Sequence, residues 1–193
     1  MKKFIVLLLA IGIAQCYAQE KRIYGLSLFS QATALPSFNL VKNPIHPGIQ
    51  ATVNWSSGRA SGMENYGFRE LAVGAFHHNH IQTAMYASYS WGYHYDVTGG
   101  LYAEGLAGLG YLHSFTDKAI YRPLEEGGFE QKTDFGRPQA LVSFQLGLGY
   151  RFPNSSISPF IRYGFHLQGP FAPDNGFPFN PLTTFHIGAS FSF

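Results

Sequence analysis

Between residues 139 and 152 the sequence swaps apolar and small or polar side chains at every step. Ala140, Val142, Phe144, Leu146, Leu148, Tyr150 and Phe152 oppose Gln139, Ser143, Gln145, Gly147, Gly149 and Arg151, with Leu141 the exception. A period of two is the strand period, because successive side chains leave a strand on opposite faces. The same alternation runs from 49 to 56, where Ile49, Ala51, Val53 and Trp55 oppose Gln50, Thr52, Asn54 and Ser56. It recurs from 159 to 168 and from 185 to 193, and in noisier form over 22–31, 67–77, 81–95 and 101–113. Eight segments of this kind, most near the 9–11 residues that a tilted strand needs to cross a bilayer, constrain the chain more tightly than any other feature.

Which face is apolar decides the class. The apolar faces run four to seven residues and many end in Tyr, Trp or Phe, whereas the opposing faces are rich in Gly, Ser and Gln. An outer band of apolar residues flanked by aromatic girdles, around an interior of small and polar side chains, is the pattern of a transmembrane barrel. The competing arrangement, a soluble lipocalin-like barrel with an apolar cavity, has the faces inverted. Composition agrees with lipid as the solvent. Charged residues make up 12% of the chain and hydrophobic ones 46%, against about 25% charged in soluble domains. Aromatic content of 17% excludes disorder. A helical membrane protein needs several apolar runs of about 20 residues, and the longest run here, residues 4–14, is short of that.

That run follows Lys2 and Lys3 and precedes Cys16-Tyr17-Ala18. A basic start, an apolar stretch and a small-x-small site form a secretory signal peptide, so residues 1–18 are expected to be cleaved and 19–193 to form the barrel. Cleavage removes the only cysteine and both lysines that account for the formal net charge of +2. No basic surface for nucleic acid remains. Cys16 also fits the acceptor of a lipoprotein signal, although Gln15 stands where a small residue is usual.

The links between segments alternate in length. Those at 96–100 and 153–156 are brief, that at 57–66 is intermediate, and those at 32–47, 114–138 and 169–183 are long; the tight link at 78–80 breaks the pattern. Short turns at one end and long loops at the other are usual in outer-membrane barrels, with both termini on the periplasmic side. The signal peptide, the alternating segments and the ending Phe185-His186-Ile187-Gly188-Ala189-Ser190-Phe191-Ser192-Phe193 resemble those of small eight-stranded outer-membrane barrels of the OmpA/OmpX type. Gly108-Leu109-Gly110-Tyr111-Leu112-His113 and Gly147-Leu148-Gly149-Tyr150-Arg151-Phe152 are similar to stretches of other Gram-negative outer-membrane barrels. The resemblance implies an all-β, eight-stranded, antiparallel up-and-down barrel located in the outer membrane. It further implies lipid as surroundings, the barrel-assembly machinery as a partner, and Phe193 as the insertion signal.

Few residues carry chemistry. Glu70, Glu104, Arg151 and Arg162 fall on inward faces near the short-turn end, with His166 on an inward face as well. Buried charges need partners, so Arg162 is expected to pair with Glu104 or Glu70. An interior this narrow favours a structural plug over a gate or channel. Among eight histidines, His77, His78 and His80 share one hairpin tip, and His46, His113 and His186 are expected near the same rim. Imidazoles suit Zn, Cu or Ni, which makes that rim the candidate metal site. No Gly-x-Ser-x-Gly elbow or dinucleotide-binding motif is present, so neither an enzyme nor a cofactor is expected. The link at 114–138 concentrates mixed charge and that at 170–179 exposes Phe and Pro, surfaces suited to an extracellular or envelope protein partner. A structural or surface-interaction role follows, with an outer-membrane enzyme, a metal-capture protein or a narrow channel as alternatives.

Overall fold

The computed structural model describes residues 22–33, 45–56, 64–79, 81–116, 120–123, 127–133, 135–171 and 178–192. The expected signal peptide with Cys16, the rim residue His80 and the terminal Phe193 lie outside the described residues. Among the described residues ten strands follow one another: β1 (Arg22–Ala32), β2 (Pro47–Trp55), β3 (Tyr66–His78), β4 (Gln82–Thr98), β5 (Leu101–Phe115), β6 (Ile120–Pro123), β7 (Phe129–Lys132), β8 (Arg137–Tyr150), β9 (Ile157–Gly169) and β10 (Asn180–Ser192). Every strand except β6 and β7 belongs to one closed antiparallel barrel, in which each pairs with its neighbours in sequence. β10 returns to β1 in continuous register from Ile23↔Ser192 to Ala32↔Thr183. Closure leaves no strand edge, which is the condition for a sheet to sit in hydrocarbon.

The alternation read from the sequence is the alternation of the barrel wall. On β8 the odd-numbered residues from Gln139 to Gly149 face inward, and the even ones face out. The outward set is apolar to an extent water does not tolerate in a continuous belt: Leu28, Leu146 and Ile187 are 67%, 72% and 62% exposed. The buried set includes Gln31, Gln50, Glu70, Arg162, Gln168 and His186. The faces are therefore opposite to those of a soluble barrel with an apolar cavity. Tyr24, Trp91, Tyr93, Tyr95, Tyr150 and Phe152 ring the short-turn end on the outside, the level at which amphipathic rings settle.

Turn chemistry explains the tight end. The two-residue link Gly99-Gly100 has φ of 54° and 91°, the left-handed pair that a two-residue hairpin requires and that glycine adopts without cost. Asn154 takes φ 64° in the β8–β9 link.

Two features depart from the sequence reading. The 114–138 link is not a plain loop, because β6 and β7 pair within it as a separate hairpin, from Ile120↔Lys132 to Pro123↔Phe129. β10 starts at Asn180 rather than near residue 184. Leu182, Thr183 and Thr184 are all buried in succession, which erases the alternation where the strand begins, and Pro181 reads as a loop residue. The longer β10 moves His186 away from the rim.

A charge placed on the outer wall tests which solvent that wall meets. Leu146→Arg is expected to cost about 2–4 kcal/mol in vesicles if Leu146 sits near the bilayer midplane. Urea unfolding of the refolded protein measures it; a neutral result means that the wall faces water.

Candidate functional site

Inside the barrel, large side chains repeatedly lie over a glycine of the adjoining strand. The register pairs Phe29 with Gly48, Tyr86 with Gly74, Phe68 with Gly92, and Tyr102 with Gly149. A Cβ at any of these four glycines would run into the partner ring. The glycines thus make room for aromatic side chains to lie flat across a narrow lumen, and the rings supply the packing that glycine lacks.

The same logic seats the charges. Gly147 pairs with Arg162, and a Cβ there would lie 2.9 Å from Arg162 Cγ. From β9 the guanidinium reaches across the lumen: Nη1 donates to Glu70 Oε2 on β3 at 2.7 Å, and Nη2 to Glu104 Oε2 on β5 at 3.0 Å. The side chains of Arg162 and Glu70 are only 3% and 1% exposed. The Arg162 guanidinium also stacks 4.8 Å from the Phe160 ring centroid. One cation thus bridges two acids from three strands, the expected pair having become a cluster of three.

Toward the short-turn mouth the cluster continues through a residue that sequence reasoning missed. His94 on β4 lies between the rings of Tyr66 and Tyr102, with centroids 4.6 Å away on either side. Its Nε2 is 3.0 Å from Arg151 Nη2, and its Nδ1 is 3.3 Å from Glu104 Oε1. Arginine only donates, so Nε2 accepts from it and Nδ1–H points at the carboxylate. Asp96 lies 3.6 Å from the Arg151 guanidinium. Arg151 joins this network from the mouth: β8 ends at Tyr150, and the Arg151 side chain is 37% exposed. His94 falls on the inward face of its strand in the sequence, but nothing local marks it as a partner of Glu104, which follows it by ten residues on the neighbouring strand.

The loop-end half is built differently. Phe29, Phe76, Ala84, Leu112, Leu141 and Leu182 form an apolar layer across the lumen, so Leu141, the exception to alternation on β8, is an inward core residue. Beyond it, Gln82 and Gln168 exchange amide hydrogen bonds at 2.9 and 3.0 Å. Gln168 Nε2 donates to Gln139 Oε1 at 2.6 Å, as does Ser114 Oγ at 2.9 Å. His166 does not join the acid–arginine cluster; its Nε2 lies 3.0 Å from Thr184 Oγ1, which is also 3.0 Å from His186 Nε2. His186 is stacked 4.5 Å from Phe29 and 1% exposed in mid-barrel.

At the loop-end rim the histidines divide. His77 faces outward with Thr83 Oγ1 and Asn79 Oδ1 each 2.9 Å from its ring nitrogens, while its neighbour His78 faces inward and stacks 3.6 Å from His46. His113 lies outside, its Nε2 3.0 Å from the Phe135 carbonyl oxygen and its Nδ1 2.8 Å from Tyr111 Oη. A carbonyl only accepts, so Nε2–H donates and Nδ1 accepts from the phenol. Among the described residues no three His, Cys, Asp or Glu side chains gather in a metal-holding group.

At the mouth, a space of about 20 Å³ lies beside Glu104 and Arg162, room for roughly one water.

Two solved structures share this architecture. Neisserial surface protein A aligns over 91% of this chain and 98% of its own length, at 9% identity and a TM-score of 0.54. The N-terminal β-barrel domain of OprF from Pseudomonas aeruginosa aligns over 90% of this chain and 99% of its own, at 13% identity and a TM-score of 0.50. No protein-family model matches the sequence, and no curated protein does. The likeness is one of fold: the all-β, eight-stranded antiparallel barrel of outer-membrane proteins.

Arg162→Met leaves two carboxylates in the lumen without their cation. The expected loss is about 3–5 kcal/mol by urea unfolding in vesicles. The triple replacement Glu70→Leu, Glu104→Leu and Arg162→Met is expected to regain most of it, because no charge is then buried. Equal stability of the single variant and the parent sequence would mean that the cluster is solvated.

Proposed function

We propose that the chain is an integral outer-membrane barrel with a plugged lumen and a structural or surface-interaction role in the envelope. Termini and short turns face the periplasm and the long links face outward, the usual arrangement of such barrels. Delivery to the membrane passes through the barrel-assembly machinery, with lipid as the permanent surroundings.

The observation that carries the reading is the stacking of unlike layers across one lumen. The Arg162–Glu70–Glu104 cluster fills the periplasmic half, and the Leu112–Leu141–Leu182 layer with its glutamine lid fills the other. An ion passing through would have to break a buried ion cluster and then cross apolar side chains, and either step is expensive. The lumen therefore works as a core and not as a conduit. Its Ser27–His186 contact, 3.3 Å long, lies between residues 3% and 1% exposed, out of a substrate's reach. The reading includes no catalytic residue and no cofactor.

Contact with other molecules falls to the outside. The β6–β7 hairpin exposes Tyr121 and Phe129, and Phe135 follows it at 79% exposure. Rings presented on a hairpin above a rigid barrel suit capture of an extracellular or envelope protein, because aromatic anchors carry much of the energy at protein interfaces.

Planar-bilayer recording tests the plug. Purified refolded protein is expected to give no discrete conductance steps above the lipid background. Replacing Glu70, Glu104 and Arg162 together by alanine is expected to leave that unchanged, because the apolar layer still seals the lumen. Reproducible steps from the parent protein would establish a channel instead.

A further inference from the structure

A row of four residues on the outer wall is explained neither by the plug nor by the apolar belt. Arg22 on β1 stands beside Trp55 on β2, Trp55 beside Arg69 on β3, and Arg69 beside Trp91 on β4. Directly opposed residues on neighbouring strands share a face, so the four side chains form one outward stripe. It alternates cation and indole and uses both tryptophans of the chain. Adjacent strands are about 4.8 Å apart, which sets the two arginine positions about 10 Å apart with Trp55 between them.

We propose that this stripe binds the headgroup of an anionic glycerophospholipid in the periplasmic leaflet. The inference rests on the membrane residence argued above and adds a ligand to it. On β3 Arg69 marks the level at which the apolar face ends: Leu71 and Val73 follow it outward-facing, and on β2 Val53 and Ala51 lie on the same side of Trp55. A lipid whose phosphate meets Arg69 has its acyl chains along those residues. The rings of Trp55 and Tyr89 lie 6.0 Å apart, and those of Tyr89 and Trp91 lie 4.9 Å apart and nearly perpendicular. The two indoles line a recess of about 270 Å³ together with Arg69 and the side-chain-free Gly67. Among the described residues no salt bridge engages Arg22 or Arg69. Both guanidinium groups are therefore available for the two-point hydrogen bonding that suits a phosphodiester. Indole supplies the rest: an apolar body against glycerol and upper acyl carbons, and a polar edge at the interface. Free phosphate lacks the acyl chains that the adjoining belt accommodates and is not the ligand.

Because both tryptophans belong to the stripe, their fluorescence reports on it. Refolded full-length protein is placed in phosphatidylcholine vesicles containing a fraction of brominated phosphatidylglycerol or brominated phosphatidylcholine, and tryptophan quenching gives the relative affinity. The parent protein is expected to prefer phosphatidylglycerol about fivefold. The double variant R22Q/R69Q is expected to fall to about onefold, while R137Q, at the opposite end of the barrel, keeps the preference. Inorganic phosphate at millimolar concentration is expected not to compete. Equal quenching by the two lipids in the parent, an unchanged preference in R22Q/R69Q, an equal loss in R137Q, or displacement by phosphate would each overturn the site. Heat-modifiable gel mobility is read on every sample. A parent protein that does not enter vesicles refutes the membrane reading and the site with it, whereas an inserted barrel without preference refutes the site alone.

Discussion

Hydrocarbon offers the peptide backbone no hydrogen-bond partner, and the whole arrangement depends on that constraint. Each backbone N–H or C=O left unpaired in the bilayer core costs several kcal/mol. A sheet avoids this cost only by closing on itself, and the pairing of β10 with β1 is the closure. Once the sheet is closed, period-two alternation assigns every residue to lipid or lumen. Those two assignments impose opposite chemistries, and an Ile, Leu or Phe on one side of the wall is followed by a Gly, Ser or Gln on the other.

A narrow lumen brings a second constraint, because whatever faces inward must fit and must satisfy its own polar atoms. Rings over glycines solve the fit, as where Tyr86 crosses Gly74 and Tyr102 crosses Gly149. The polar problem is solved twice. Near the short-turn mouth, Arg162 neutralises Glu70 and Glu104 in one contact set, and near the loop end three glutamines and Ser114 satisfy one another's amides and hydroxyl. Between them lies the apolar layer of Phe29, Phe76, Leu112, Leu141 and Leu182. A buried ion cluster is weak evidence of net stability; its stronger consequence is register. Slipping one strand by a residue would turn Arg162, Glu70 or Glu104 into the lipid.

Much of this was legible from the sequence because the two faces differ so sharply. The strand positions, the outward belt and the inward direction of Glu70, Glu104 and Arg162 all follow from alternation. Alternation fails where both neighbours are buried, and there the reading failed too: Leu182-Thr183-Thr184 concealed the start of β10 and misplaced His186. It weakens at strand ends, as at Arg151, which follows the last residue of β8 and reaches the network from the mouth. The pairing of His94 was invisible for a different reason. Its partners Glu104 and Arg151 come from two other chain segments, and only the barrel's register brings them together. The β6–β7 hairpin has four-residue strands among mixed charges, too short for a period to emerge.

The central claim, a lipid-facing wall around a packed lumen, is tested most directly by spin-label accessibility along β8. Single cysteines from 140 to 149 in vesicle-embedded protein would be labelled and their collisions measured with oxygen, which partitions into lipid, and with a water-soluble nickel chelate. A packed barrel predicts that even positions collide with oxygen and odd positions with neither reagent. Collision of the odd positions with the nickel chelate would contradict the packed lumen, and collision of the even positions with it would contradict the lipid-facing wall.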